Sequence, residues 1–543
     1  MKITLEGISS ALNKELTLEG ISSVLKKEFT VIPGFRKCSG SVLLLIFITV
    51  FAAFLRFYGL ANRGFWLDET FSVDFAQKSL PNLLSFREGG TNMPLYHLLL
   101  HFWMKLGDSE FLLRSMSVLF SVAAIPFLYA IGCRLFGRPA GLIAAWLLAL
   151  NAYDLHYAQE ARAYAMVVLL ATISSLLLIR NLQEPPTASW ALYGVFLSLT
   201  VYCHLLGLLV AVAHGLAVLC LPPRSIPWKG LARSAVCFAL LTLPLAVRVL
   251  QAKADPLNWV PKPDASLVLS YLILCAGNGG ELLLLADAIV IALFILQSTR
   301  SWWREGRSLE NWSYLLVLFW FVAPLALALS ISVLRPTFVP RYFLYCLPAF
   351  LLAVSSSLSR IRPLALAWAL GIAISILGLS AVPQSYHLAG TFEDWRVISS
   401  SVLQQSVPGD GIFFYPEYAS IPFEYYRART VPLPSWPEPI TVGPPPSPED
   451  TAPSHESSRN DGEKIWSASK LWLIIHHPST LSPQQRKNLA ANLACWQVKG
   501  WTLRSAREFP SVIVLMLAAS SSDALPPAQL PGLSHPYTSP PSP

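Results

Sequence analysis

Apolar runs of membrane-crossing length recur from residue 42 to residue 382, and they constrain this chain more than any other feature. About 20 apolar residues span a bilayer core, and a segment there must satisfy its own backbone hydrogen bonds, so each run predicts a helix. The runs lie at 42–58, 114–133, 140–153, 163–180, 190–204, 205–221, 234–250, 282–297, 313–333, 342–358 and 364–382. That predicts about eleven transmembrane helices, some of them short. Composition agrees: 54% of the 543 residues are apolar and 13% charged, a balance that excludes a soluble domain of this size.

The net charge of +8 could suggest a nucleic-acid partner. Its cations, however, sit in short loops between apolar runs: Arg134/Arg138, Arg224/Lys229/Arg233, Arg300/Arg304/Arg307 and Arg360/Arg362. If the first span runs outward, all four loops fall on the cytoplasmic side, as the positive-inside rule expects, and nucleic acid is disfavoured. The parity requires that "MPLYHLLLHFWM", Met93 to Met104, does not cross; it is short for a span and reads as a helix in the outer interface. The eight cysteines show no paired spacing, so neither a disulfide scaffold nor a cysteine metal site is expected. Residues 1–41 carry an internal repeat, "TLEGISSAL" from Thr4 and "TLEGISSVL" from Thr17, read as a cytoplasmic amphipathic segment and not as a signal peptide.

With this parity, acids and arginines from distant segments reach one outer face. "FWLDET" brings Asp68 and Glu69 in a long first loop, residues 59–113. "NAYDLHYAQEARAY" brings Glu160, Arg162 and Tyr164, and "RPTFVPRY" brings Arg335, Arg341 and Tyr342. Ionisable groups at the ends of spans are costly unless they face a polar cavity, so they are candidates for function. From residue 383 to 520 the pattern changes to short strands ("DGIFFYP", "KLWLIIHH", "PSVIVLMLA") alternating with helices ("EDWRVISSSVLQQ", "SPQQRKNLAANLACW"). A small α/β domain outside the membrane is expected there, with a Pro-rich insertion at 432–458 and a disordered tail at 521–543.

Several stretches together carry a family resemblance: "RFYGLANRGFWLDETFS", "MPLYHLLLHFW", "EFLLRSMSVLFS", "RLFGRPAGLIAAWLLALNAYDLHYAQEARAYAM", "RPTFVPRYFLYCLPAFLL" and "EDWRVISSSVLQQSVPGDGIFFYP". In order and spacing the chain resembles bacterial membrane glycosyltransferases of the dolichyl-phosphate-mannose protein mannosyltransferase type. That superfamily, of GT-C fold, also contains the aminoarabinose transferases of lipid A. The resemblance implies a multi-span enzyme of the inner membrane, with its active site on the extracytoplasmic face, taking a sugar from a polyprenyl-phosphate carrier. It also implies that the acid of the first outer loop, here Asp68 with Glu69 beside it, is catalytic. Relatives often read His-Pro-Pro-Leu-Tyr where this chain has Asn92, Met93, Pro94, Leu95 and Tyr96. A role for that histidine is therefore absent here or passes to His97 or His101.

The chemistry runs parallel to the resemblance. A carboxylate such as Asp68 would accept the proton of an acceptor hydroxyl attacking the anomeric carbon, and one displacement would invert it. Arg162, Arg335 or Arg341 would hold the departing phosphate through forked hydrogen bonds. Simpler roles stay open: Glu69 as an acid at a helix start, Glu160 paired with Arg162, Tyr342 as an interfacial aromatic. His97 and His101 stand one helical turn apart with no acid beside them in sequence, so a metal site is not assigned to them. No cofactor is expected, and dependence on a divalent metal is open. The expected partners are the lipid-linked donor, a protein, lipid or glycan acceptor, and membrane lipids. A transporter or flippase of lipid-linked sugars is the alternative, disfavoured because no mid-bilayer charges or related halves are evident. An envelope scaffold anchored by the spans is a third possibility, for which so many spans are excessive.

Overall fold

The computed structural model describes residues 39–85, 93–251, 260–387, 393–407, 410–430, 470–478, 481, 483–498 and 500–519. The N-terminal repeat, Asn92, residues 252–259, the Pro-rich insertion and the tail lie outside the described residues. The chain divides into two compact units. One holds residues up to Leu60 together with Phe75–Tyr386, and the other holds Ala61–Asp74 together with the residues from His387 onward. The segment carrying Asp68 and Glu69 therefore groups with the C-terminal residues, although the sequence pattern places it in the first outer loop of the multi-span part.

The first unit is helical. Among the described residues, eight helices are long and apolar enough to cross a membrane: Gly40–Phe57, Glu110–Phe136, Tyr164–Gln183, Trp228–Gln251, Gly280–Glu305, Leu309–Ser332, Pro340–Leu358 and Leu364–Tyr386. Shorter apolar helices at Arg138–Leu150, Trp190–Cys203 and Leu205–Leu219 account for the remaining expected spans, and Ala265–Cys275 adds one that the run lengths do not predict. The protein is an integral membrane protein. Pro94–Trp103 has 10 residues, a length of about 15 Å, half of a bilayer core.

Two short helices, Trp190–Cys203 and Leu208–Leu219, form an antiparallel hairpin. The contact that shows it is Tyr193 near the start of the first and His214 in the second, joined by Tyr193 Oη and His214 Nδ1 at 3.1 Å. A second hairpin, Glu110–Phe136 with Arg138–Leu150, turns at Gly137 with φ 94°. Its helices touch at Gly132 and Gly141: a Cβ on Gly132 would lie 2.6 Å from Gly141 Cα, so no larger residue fits without a shift.

Cross-links sort the ends of this unit in the way the parity requires. Arg134 pairs with Glu184 at 2.9 Å, and Arg360 lies over Phe136 and Tyr314. At the opposite end Arg114 donates to Leu60 O, Tyr153 Oη to Pro340 O and Asn151 Nδ2 to Cys275 O. The loops of Arg134 and Arg360 thus share one end of this unit, and the segments next to Asn151, Tyr153 and Pro340 share the other.

Between these helices lies a buried ion pair. Arg56, fully buried near the end of Ser39–Phe57, donates to Asp154 Oδ2 at 2.7 Å, to Leu148 O and Ala149 O at 2.9 and 3.1 Å, and to Ser121 Oγ at 2.6 Å. Ser121 Oγ also donates to Asp154 Oδ2 at 2.6 Å. The guanidinium thereby satisfies carbonyls left open at the end of Arg138–Leu150, besides binding a carboxylate.

The second unit has a four-stranded sheet ordered β1-β2-β4-β3: β1 Gly411–Tyr415, β2 Lys470–His476, β3 Trp501–Phe509 and β4 Val512–Ala519. β1 and β2 are parallel and the other pairs antiparallel. The parallel strands are almost continuously buried and apolar, as expected for strands covered on both faces. Strand β3, "WTLRSAREF", is absent from the sequence expectation, because its charges break the apolar signal. The core joins Phe413, Leu473, Ile475, Leu489 and Leu515.

This architecture is open to two tests. Arg56→Ala or Asp154→Ala leaves one buried charge without its partner, which costs about 3–5 kcal/mol; purified variants should melt well below the wild type, and unchanged melting would remove the pair from the frame. A topology reporter fused after Arg134 should read cytoplasmic and one after Gln384 outside. The same side for both would break the span parity.

Candidate functional site

In the first unit, a break in the hairpin Trp190–Leu219 exposes the key geometry. The first helix ends at Cys203, His204 is extended (φ −157°, ψ 129°), and a short 3-10 turn, Leu205–Gly207, starts the return. His204 Nδ1 accepts from Leu206 N at 3.3 Å, so in the neutral ring the proton sits on Nε2. The charges of Arg162 and Arg341 both reach this imidazole, and Tyr342 packs on it with ring centroids 4.9 Å apart.

Arg341 and Tyr342 are positioned by the turn Pro340–Cys346, whose backbone carbonyls are held from several helices. Tyr153 donates to Pro340 O at 2.7 Å, Tyr271 to Phe343 O at 3.2 Å and Trp320 to Tyr345 O at 3.0 Å, while Tyr345 Oη donates to Leu206 O at 3.0 Å. Arg341 lies beside its neighbour's ring, 5.6 Å from the Tyr342 centroid.

Arg162 comes from the tight turn between Ala152–Ala158 and Tyr164–Gln183, where Arg162 N bonds Glu160 O at 2.7 Å. Its carbonyl accepts from Ser117 Oγ, which also contacts Tyr96 Oη at 2.9 Å. The helix Pro94–Trp103 thus places His97 near the Arg162 guanidinium, with Phe75 stacked on the imidazole at 5.3 Å. Burial and, second, the Arg162 charge hold His97 neutral, its pKa lowered to about 3. Glu160 faces His156 at 3.4 Å, and Tyr164 packs between Tyr157 and Arg162.

The structure therefore brings together His97, Glu160, Arg162, Tyr164, Arg341 and Tyr342 of the sequence candidates. It adds His204, which the sequence reading does not include; the signal available was a polar residue between two runs each too short for a comfortable span. Arg335 is exposed, in the segment between the helix Leu309–Ser332 and the turn. His101 instead uses Nδ1 against Ala76 O at 2.7 Å. Within the group, His97 Nε2, Glu160 Oε2, Tyr164 Oη and His204 Nε2 are buried with no hydrogen-bond partner among the described residues. Such atoms are individually costly, about 1–3 kcal/mol each, and four in one neighbourhood mark a place for a polar ligand. By contrast His214, also buried, is satisfied on both nitrogens by Ser175 and Tyr193 and reads as a core residue.

Asp68 and Glu69 belong to the second unit and open the helix Leu67–Gln77, where acids in the first turn complement the helix dipole. Glu69 is fully buried and accepts from Trp66 N at 3.4 Å; Asp68 is half-buried. The loop before them is gripped by residues far along the chain. Gly64 N donates to Asp394 Oδ2 at 3.0 Å, Phe65 N to Tyr426 Oη at 2.6 Å, Trp395 N to Phe65 O at 3.3 Å, and Arg396 to Ala61 O and Arg63 O at 3.1 Å. Gly64 has no room for a side chain, since a Cβ would fall 2.2 Å from Asp394 Oδ1.

The chain is a polytopic membrane protein, and its likeness to solved structures shows a fold of the GT-C type. Residues 91–250 match the family described as dolichyl-phosphate-mannose-protein mannosyltransferase. Among solved structures, the chain is similar to ArnT from Cupriavidus metallidurans in the apo state, with TM-score 0.57, 12% identity, and 88% of this chain and 98% of that one covered. The same enzyme bound to undecaprenyl phosphate matches with TM-score 0.55, 12% identity and coverage of 90% and 100%. The archaeal oligosaccharyltransferase AglB from Archaeoglobus fulgidus, in complex with an inhibitory peptide and a dolichol-phosphate, matches with TM-score 0.50, 11% identity and coverage of 91% and 75%. Among curated proteins no sequence matches.

Proposed function

We propose that this protein transfers a sugar from a polyprenyl-phosphate carrier to an acceptor hydroxyl on the extracytoplasmic face of the inner membrane. The observation that carries the reading is the buried polar group around His204. Two guanidiniums and the Nε2–H of His204 offer donors for a phosphate, at the end of the helical unit opposite the basic loops. A lipid tail would lie along the apolar helices while its phosphate reaches these donors. Support comes from the mannosyltransferase family match and from the neighbour bound to undecaprenyl phosphate.

Chemistry then needs few parts. Asp68 acts as the general base, taking the proton of the acceptor hydroxyl as its oxygen attacks the anomeric carbon and the phosphate departs with the bonding pair. One displacement inverts that carbon. Glu69, buried and accepting from Trp66 N, orients the helix start. Arg162 and Arg341 stabilise the negative charge as it returns to the phosphate. A flippase of lipid-linked sugars would use the same phosphate donors but would need no base, and the Asp68 variant separates the two.

Arg162→Ala and Arg341→Ala should each weaken binding of undecaprenyl phosphate by about tenfold or more, the loss of a charge-assisted hydrogen bond. Arg→Lys should restore only part, because an ammonium lacks the planar fork. Unchanged binding in both alanine variants would remove these residues from the phosphate site. Asp68→Asn should lower transfer from a synthetic polyprenyl-phosphate sugar by ~10²-fold or more while binding of the donor survives, and Glu69→Gln should be milder. Transfer at the wild-type rate by Asp68→Asn would return that residue to a loop acid.

A further inference from the structure

A different cluster lies in the second unit, at the C-terminal end of β2, the edge where α/β sheets commonly bind ligands. His476 is the last residue of β2 and His477 comes directly after it; Glu393 comes from the segment that leads into the helix Trp395–Leu403. Glu393 Oε1 stands 2.8 Å from His476 Nε2 and 3.2 Å from His477 Nε2, and one donor atom from each of the three residues lies within 4.8 Å of the others. Glu393 and His476 are buried, whereas the His477 side chain is 40% exposed.

We propose that Glu393, His476 and His477 form a binding site for a zinc-type divalent cation, with a fourth position open to solvent beside His477. Two imidazoles and one carboxylate are the donor set that a tetrahedral zinc ion accepts while keeping one position for water. At zinc distances of about 2.0–2.1 Å, tetrahedral donors stand about 3.3 Å apart. The His477–Glu393 separation is already close to that value, whereas the His476–Glu393 separation is about 0.5 Å short of it, so binding replaces that hydrogen bond as the donors spread around the ion.

Three further features point to a ligand. The other carboxylate oxygen, Glu393 Oε2, accepts from Trp395 Nε1 at 2.6 Å, a hydrogen bond that orients the acid in the way metal-bound carboxylates are commonly held. Trp395 and Tyr418 pack against the His476 ring, with centroids 6.0 and 5.7 Å away, and fix its plane. His477 holds a left-handed backbone, φ 46°, pinned by its N–H on Ser511 O at 2.6 Å. That conformation is unfavourable for a non-glycine residue, and it turns both successive histidines toward one carboxylate, which an extended strand would send to opposite faces.

The cation would tie the start of the helix Trp395–Leu403 to the sheet. Asp394 and Trp395, next in the chain, hold Gly64 and Phe65, so the site would also brace the loop ahead of Asp68. Cation binding itself stands whether or not Asp68 is the base.

The test is zinc binding by the full-length protein in detergent, with any purification tag removed, titrated against a competing chelator and read as bound zinc per chain. One equivalent is expected. His477→Ala, at a half-exposed position that does not carry the core, should lower affinity about a hundredfold or more. Trp395→Phe, which removes the hydrogen bond to Glu393 together with part of the ring packed against His476, should cost about tenfold. X-ray absorption of the zinc-loaded protein should show a first shell of nitrogen and oxygen only. Wild-type protein that retains no zinc against the chelator, or His477→Ala that binds as tightly as wild type, overturns the proposal; undecaprenyl-phosphate binding in the same samples should be unchanged, which keeps the two readings separable.

Discussion

The helical unit depends on one buried cation. Arg56 reaches a carboxylate, a serine and the carbonyls of Leu148 and Ala149 at once. An unpaired guanidinium at that depth would be prohibitive, so its partners must arrive together. Asp154 can meet it only if Arg138–Leu150 ends at Asn151 and the chain turns at once into Ala152–Ala158, where Asn151 caps the new helix through Asp154 N. Gln159 then binds the carbonyls of Arg56 and Tyr58, returning the chain to the same point. The tight turn that presents Glu160 and Arg162 begins at the very next residue. The ion pair is thus the foundation on which half of the polar site is built.

The other half rests on a different device. The turn Pro340–Cys346 is framed by side chains that donate to its carbonyls, so its shape is set by tyrosines and a tryptophan from separate helices. Into this rigid frame come Arg341 and Tyr342, facing His204 at the apex of a hairpin whose arms are each short for a crossing. For the phosphate proposed to bind here, rigid supports would add affinity, because the donors would need no reordering when the ligand arrives. The buried polar atoms at His97, Glu160, Tyr164 and His204, which have no hydrogen-bond partner among the described residues, lie among these supports.

In the C-terminal unit, Asp394, Trp395 and Arg396 grip residues 61–65 just ahead of Asp68, and Glu393, one residue earlier, turns inward to His476 and His477. A short stretch of chain thereby serves the loop on one side and the histidine cluster on the other. This explains why the sheet and the first loop form one compact unit although the helical unit separates them along the chain.

Residue pattern alone determined the membrane class, the approximate span positions, the short helix Pro94–Trp103 and three of the four strands, because apolar run length and period are local properties of the chain. Charge placement likewise told one end of the bundle from the other. It could not reveal the Arg56–Asp154 pair, since an arginine at the end of a span reads the same whether it snorkels to water or is buried. Nor could it single out His204 over His214, two histidines in similar apolar surroundings whose difference is whether a neighbour from another helix satisfies the ring. The same holds for the grouping of Gly64 with Asp394, and of Glu393 with His476 and His477. These depend on which distant segments meet, and hydrogen-bond satisfaction between them is a property only of the folded chain.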